Sequence, residues 1–363
     1  MSRSQFGRRS ISGLLLALLF VLPVLGQEIS TLVDEARKLV QSAMETEHYP
    51  GLSVAVSVDG EVIWSEAFGY ADIENQVPMT TDSKFRIGSI SKPFTATAIA
   101  QLVADGKLDL DAPVQRYVPS FPEKKWTITT RQLGGHLAGI RHYVGNEMMS
   151  DVYYPTVESG LSIFSKDPLV HKPGSAYLYS SYGWNLISAV VEGASEINFL
   201  DYMQHNVFSV LGMGHTEADY AANEIDNRVS FYERGEDGMP ELSPYVDNSY
   251  KWAGGGFLST PLDILIFANA YLGEDLFDEE TKALLFTSQK TLEGKETGYG
   301  IGWSVSKDKK GRTLLGHTGG SVGGTSIFQM NPEQNVVVAL TINQSSASLN
   351  VGRELMQLVL DNE

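Results

Sequence analysis

"FRIGSISKPFTATAIAQLV", residues 85–103, joins a serine and a lysine to the start of an apolar run. Ser89 and Lys92 stand three residues apart where an apolar, helix-like run begins. In a helix that starts near Ser89, positions i and i+3 share one face. Pro93 is tolerated there, because N–H groups of a first turn lack intrahelical partners. A free serine is a poor nucleophile and needs an adjacent base. A lysine serves if burial or neighbouring charge lowers its pKa. The same helix start offers N–H donors and partial positive charge suited to an oxyanion. The bland alternative is a Ser89 cap with Lys92 snorkelling to water. Alone, a pair as common as Ser-x-x-Lys favours the bland alternative.

On the N-terminal side, residues 29–44 place Ile29, Leu32, Val33, Ala36, Leu39, Val40 and Ala43 at helical spacing. Two alternating runs in "GLSVAVSVDGEVIWSEAFGYAD" flank Asp59-Gly60, a hairpin signal. On the C-terminal side, residues 127–285 read mostly as helices with long loops, as in "TTRQLGGHLAGI" and "FLDYMQHNVFSVL". Strand patterns return at "GYGIGWSV" (298–305), "GRTLLGHTGG", "GTSIFQMN" and "NVVVALTIN", before a last helix, "SLNVGRELMQLVLDN". The simplest arrangement is an α/β chain of the α+β kind: an antiparallel sheet built from both chain ends, flanked by the terminal helices, with a helical lobe inserted. The expected boundaries are one domain over 27–363, with a sheet lobe at about 27–90 and 286–363 and a helical lobe at about 91–285. A cleft between the lobes is then the default ligand site.

Residues 1–26 stand apart. Arg3, Arg8 and Arg9 precede "LLLALLFVL" and then "PVLGQE", the pattern of a secretory signal peptide. The apolar run is short against the ~20 residues of a spanning helix, although an uncleaved anchor is the alternative. The expected location is periplasmic or secreted, with no membrane contact after cleavage. The 363 residues carry a formal charge of −17 and no cysteine. Such acidity argues against nucleic acid and anionic lipid as partners. Absence of cysteine excludes disulfides and a lipoprotein anchor. No His-Glu-x-x-His pattern occurs, so neither metal nor other cofactor is expected.

Two further pieces carry chemistry. "YLYSSYGWNLIS" supplies Tyr179 and Ser181; a tyrosine shuttles protons when a nearby ammonium favours its phenolate. "LLGHTGGSVGG" puts His317, Thr318 and Gly319 at a strand end, followed by Gly320, where glycines let backbone approach a ligand. Each has a plain structural alternative, a helix start and a glycine-rich turn. "GGSVG" (319–323) matches a nucleophile elbow, but no helix pattern and no later His follow it. His136 reads as a hydrogen-bonding residue of the helical lobe. "AGGGF" reads equally as a cleft wall or a tight turn.

Taken in order, Ser-x-x-Lys, Tyr-x-Ser and His-Thr-Gly resemble the serine β-lactamase and penicillin-binding-protein superfamily. The variants are similar to class C β-lactamases and their esterase and peptidase relatives. "FRIGSISKP", "GKLDLDAPVQRYVPSFPEK", "ITTRQLGGHLAGIRHY" and "GHTGGSVGGTS" resemble most the branch of the mitochondrial serine β-lactamase-like protein and its bacterial relatives.

The resemblance implies the β-lactamase/transpeptidase-like fold and a serine hydrolase. Ser89 is then the acylated nucleophile, and Lys92 and Tyr179 share base and acid duty. The N–H groups of Ser89 and Gly320 form the oxyanion hole. Ser181, His317, Thr318 and Gly319 line the substrate site. The partner is a small-molecule or peptide substrate, with the oligomeric state left open. Two departures, Ser181 for Asn and His317 for Lys, weaken penicillin hydrolysis and suit a peptidase or esterase. The alternatives are a β-lactamase or D-alanyl carboxypeptidase, and a catalytically silent binding or assembly protein.

Overall fold

The computed structural model describes residues 14–363, the side chains of 14–26 and 28 excepted; the leader read over 1–26 lies outside the fully described residues. Helix α1 (Leu14–Glu47) leads into a hairpin of β1 (Gly51–Val58) and β2 (Glu61–Asp72), edged by β3 (Val77–Pro78). Asp59 and Gly60 in the turn have φ of 50° and 81°, the positive values that a two-residue hairpin loop requires. After α2 (Ser91–Ala104), α3 (Ser181–Ser195), the short α4 (Trp252–Gly255) and α5 (Pro261–Leu272), the chain returns to the same sheet. It adds β4 (Ser304–Lys307), β5 (Thr313–Ser321), β6 (Gly324–Asn331) and β7 (Val336–Ile342), then ends in α6 (Asn350–Asn362). The sheet order is β3-β2-β1-β7-β6-β5-β4, and every neighbouring pair is antiparallel.

Both faces of this sheet are covered, which explains the unbroken apolar run of β7. Val336, Val338, Leu340 and Ile342 pack against Leu32, Ala36 and Val40 of α1 and Val351, Leu355 and Val359 of α6. The alternate residues Val337 and Ala339 join Phe328 and Met330 on the opposite face, against the helical lobe. The period-2 geometry of a strand sends neighbours to opposite faces. Helix α2 is buried nearly all round; Phe94, Ala96, Ala98, Ile99 and Leu102 have no exposed surface. That is why its sequence shows an apolar run rather than a stripe.

Several elements differ from their sequence patterns. "TTRQLGGHLAGI" forms a helix only over Thr130–Gly134, opened by a Thr129–Gln132 capping box, and His136 then takes a positive φ of 59°. "GYGIGWSV" becomes strand only at Ser304, because Gly298 and Gly302 sit at φ of 69° and 81°. "FLDYMQHNVFSVL" contains a π-helical stretch, Met203–Phe208. Phe85–Arg86 lies outside the large sheet and pairs with Leu258 and Ser259 in a small separate one. Among the described residues, no helix is long and apolar enough to cross a membrane.

Candidate active site

Ser89 sits on a 3₁₀ turn, Gly88–Ile90, that runs directly into α2. Two glycines bring β5 against this turn, backbone to backbone. A Cβ on Gly88 would lie 2.5 Å from Gly320 O, and one on Gly319 only 1.9 Å from Ile87 O. Ser326 Oγ fixes the approach by donating to Ile87 O at 2.8 Å. Gly319→Ala is therefore expected to force β5 away from the turn. The cost is about 1–3 kcal/mol of stability, read as a lower urea midpoint, with activity falling in parallel. Pairing of β5 with β4 ends at Gly316–Ser304. Beyond it, Thr318 and Gly320 are exposed along a strand edge beside Ser89.

Lys92 is wholly buried. Its Nζ lies 2.8 Å from Ser89 Oγ, 2.6 Å from Gly254 O and 3.4 Å from Ser181 Oγ. Among the described residues no carboxylate comes within ion-pair distance of it. Burial drives its pKa well below that of an ordinary lysine, and the positive charge of Lys251 adds to the effect. A neutral amine in this setting donates to Gly254 O and holds its lone pair for the Ser89 proton.

Tyr179 stands beside this pair, with Lys92 Nζ 5.0 Å from its ring centroid. Burial raises its pKa above that of a free tyrosine, and a hydrogen bond with Ser89 opposes the rise only in part. It is a phenol here, not a phenolate. Two histidines seat the start of α3 around it. His136 Nδ1 accepts from Ser180 N–H at 3.1 Å, and its ring lies 4.2 Å from that of Tyr179. His142 Nδ1 accepts from Ser181 N–H at 3.2 Å. Burial and then Lys92 lower both pKa values, that of His142 to about 4. Both are therefore neutral, which accepting from an N–H requires.

His317 is buried on β5. Nδ1 is 2.5 Å from Thr318 O, a group that only accepts, so Nδ1 carries the proton. Nε2 accepts from Tyr299 O–H at 2.8 Å. Burial, then Lys92, lowers its pKa to about 3, so no positive charge stands on this strand. Ser181 is buried with its hydroxyl towards Lys92, whereas Thr318 is left exposed on the edge.

The sequence left Gly254 open between a cleft wall and a tight turn, and gave no reading of His142, Tyr299 or Lys251 as parts of the site. Lys251 is buried, with Nζ 5.3 Å from the Tyr250 ring centroid and 5.9 Å from that of Tyr143. Burial first and Arg86 second bring its pKa down to about 7, against the pull of Asp219. The only signal was its place, three residues before Gly254 in a segment whose glycines hinted at close approach. Among the described residues, no three His, Cys, Asp or Glu side chains gather as a metal would need.

The beta-lactamase family model matches residues 36–361. The chain is similar to the mitochondrial serine beta-lactamase-like protein LACTB of Bos taurus, at 35% identity over 88% of this chain and 77% of that one. Among solved structures it is similar to the octameric penicillin-binding protein homologue of Pyrococcus abyssi, with a TM-score of 0.78 and 27% identity over 91% of this chain and 77% of that one. It is also similar to the D-amino acid amidase of Ochrobactrum anthropi SV3, with a TM-score of 0.76 and 25% identity over 90% of this chain and 98% of that one.

Proposed function

The chain belongs to the beta-lactamase family, in the serine β-lactamase and penicillin-binding-protein superfamily, and from that premise we propose that it is an exported serine hydrolase working through an acyl-enzyme on Ser89. Export rests on the leader read over residues 1–26. The observation that carries the chemistry is the buried Lys92 amine, 2.8 Å from Ser89 Oγ and without a carboxylate partner among the described residues.

Lys92 takes the Ser89 proton as Oγ bonds to the substrate carbonyl carbon. The oxyanion rests in the N–H groups of Ser89 and Gly320, the kind of preorganised pair whose loss costs ~10²–10³ in rate. Tyr179 is the protonated group that hands a proton to the leaving oxygen or nitrogen as its bond to the carbonyl breaks. Water then attacks the ester on Ser89, gives its proton back through the same groups and releases the acid. Thr318 and Gly320, on the open edge of β5, hold an extended substrate by its backbone or amide.

The substrate class is an ester or amide of the peptidase or esterase kind. The neutral, fully engaged His317 supports this over a penicillin, whose carboxylate finds no cation from that residue. The D-amino acid amidase among the similar structures points the same way. Rapid mixing with p-nitrophenyl esters tests the proposal. A burst of one nitrophenol per protein, with the acyl mass on the Ser89 peptide, is expected. Folded protein with neither burst nor turnover on esters, amides or β-lactams favours the binding or assembly reading.

The rate should also follow Lys92. Its active form is the free amine, so kcat/KM climbs with pH along a limb well below the 10.5 of an ordinary lysine. Lys251→Met removes a positive neighbour, makes Lys92 more basic and moves the limb to higher pH. A limb that stays in place in this variant contradicts the coupling.

A further inference from the structure

Away from the Ser89 site, an opening of about 200 Å³ is lined by Tyr153, Tyr220, Trp252, Asp247 and the backbone segment 221–223. Three of its walls are aromatic faces. The Tyr220 and Trp252 rings lie 5.2 Å apart at 58°, and Tyr153, more than half exposed, closes the side towards solvent. The fourth group is a carboxylate. Asp247 is 5% exposed, and its Oδ1 accepts from Ser249 N–H at 2.8 Å. Among the described residues no Lys, Arg or His lies within ion-pair distance of it.

The nearby cations are engaged elsewhere. Arg228 pairs with Asp219 and donates to Tyr220 O and Asn223 O. Arg86 pairs with Asp219. Lys251 faces the rings of Tyr143 and Tyr250.

An anion is repelled by both the carboxylate and the ring faces. An apolar group would strip water from the carboxylate without replacing it. A cation with apolar substituents satisfies the carboxylate and the rings together. We propose that this slot binds an organic ammonium group of about trimethylammonium size.

The slot is built, not a gap between mobile loops. Asp247 N–H donates to Ser150 O at 2.8 Å, and Tyr154 N–H donates to Ser249 Oγ at 2.7 Å. These bonds stitch the segment carrying Tyr153 to the segment carrying Asp247 and Trp252. Trp252 also opens α4, whose Gly254 carbonyl holds Lys92. The slot and the Ser89 site thus each take a residue from α4, and the ammonium comes either from the far end of a substrate or from a free amine.

Calorimetric titration of the full-length Ser89→Ala protein with choline tests this independently of any hydrolysis. The control is 3,3-dimethyl-1-butanol, the carbon isostere of choline. Saturable choline binding is expected, about tenfold or more tighter than the isostere. Asp247→Asn keeps the bond from Ser249 N–H and should weaken choline by a similar factor. Tyr153→Ala, at an exposed position, should weaken it several-fold. No saturable binding, equal binding of the isostere, or indifference to Asp247→Asn overturns the proposal. Kinetics of the wild-type protein with acylcholine and 3,3-dimethylbutyl esters then distinguish the sources. A lower KM for the choline ester assigns the ammonium to the substrate, and equal KM values with retained choline binding assign it to a free amine.

Discussion

Ser89→Ala is expected to lower hydrolytic turnover by about four orders of magnitude or more while the protein stays folded. Ser89 supplies the atom that becomes acylated, and no neighbouring group offers a replacement at the same place. Ser181 Oγ also lies near the amine, 3.4 Å from Lys92 Nζ, but it is buried at the start of α3. Losing one partly exposed hydroxyl changes stability by about 1 kcal/mol or less. Thermal melting with and without the substitution, beside initial rates on the best ester, checks both halves. A variant that melts like the parent and keeps its turnover would remove Ser89 from the chemistry.

Lys92→Met should cost about three orders of magnitude or more in kcat/KM. Methionine matches the length of the stem and fills the buried space, but it has no lone pair basic enough to take the serine proton. It also leaves Gly254 O without its donor, a loss of about 1–3 kcal/mol, partly offset because an amine need no longer be desolvated. The pH dependence of stability separates these effects. In the folded parent the Lys92 pKa lies below its unfolded value, so the unfolded chain binds more protons and stability rises with pH. As pH falls from about 10.5 towards the folded pKa, the parent loses this contribution, and the Met variant should show a shallower slope over the same window. Lys92→Arg is expected to rescue neither property. A guanidinium stays charged at any working pH, and a fixed charge at a fully buried position is more costly than the amine.

What could be read from the sequence follows the range of each interaction. The Ser89–Lys92 pair and the Asp59-Gly60 hairpin rest on spacings of three residues or fewer, so the local pattern contains them. The two-faced burial of β7 shows as an unbroken valine-rich run, and the buried α2 as an apolar stretch without a stripe. Gly254, by contrast, meets Lys92 across a separation of 162 residues, and no local pattern encodes that meeting. The turning of His317 depends on Tyr299, eighteen residues away in an irregular segment whose positive-φ glycines were read as strand. Nothing local to Lys251 in the sequence marks it as buried. Only its burial among aromatic rings makes it a partner of Lys92.

Burial of the Lys92 amine is what makes Ser89 a nucleophile in the proposed reaction. The most direct measurement is the intact mass of the folded protein after incubation with a fluorophosphonate, followed by peptide mapping. A single adduct on Ser89, absent from the Lys92→Met variant, is the predicted result. No adduct on folded protein, an adduct at another residue, or equal labelling of the Met variant would contradict it.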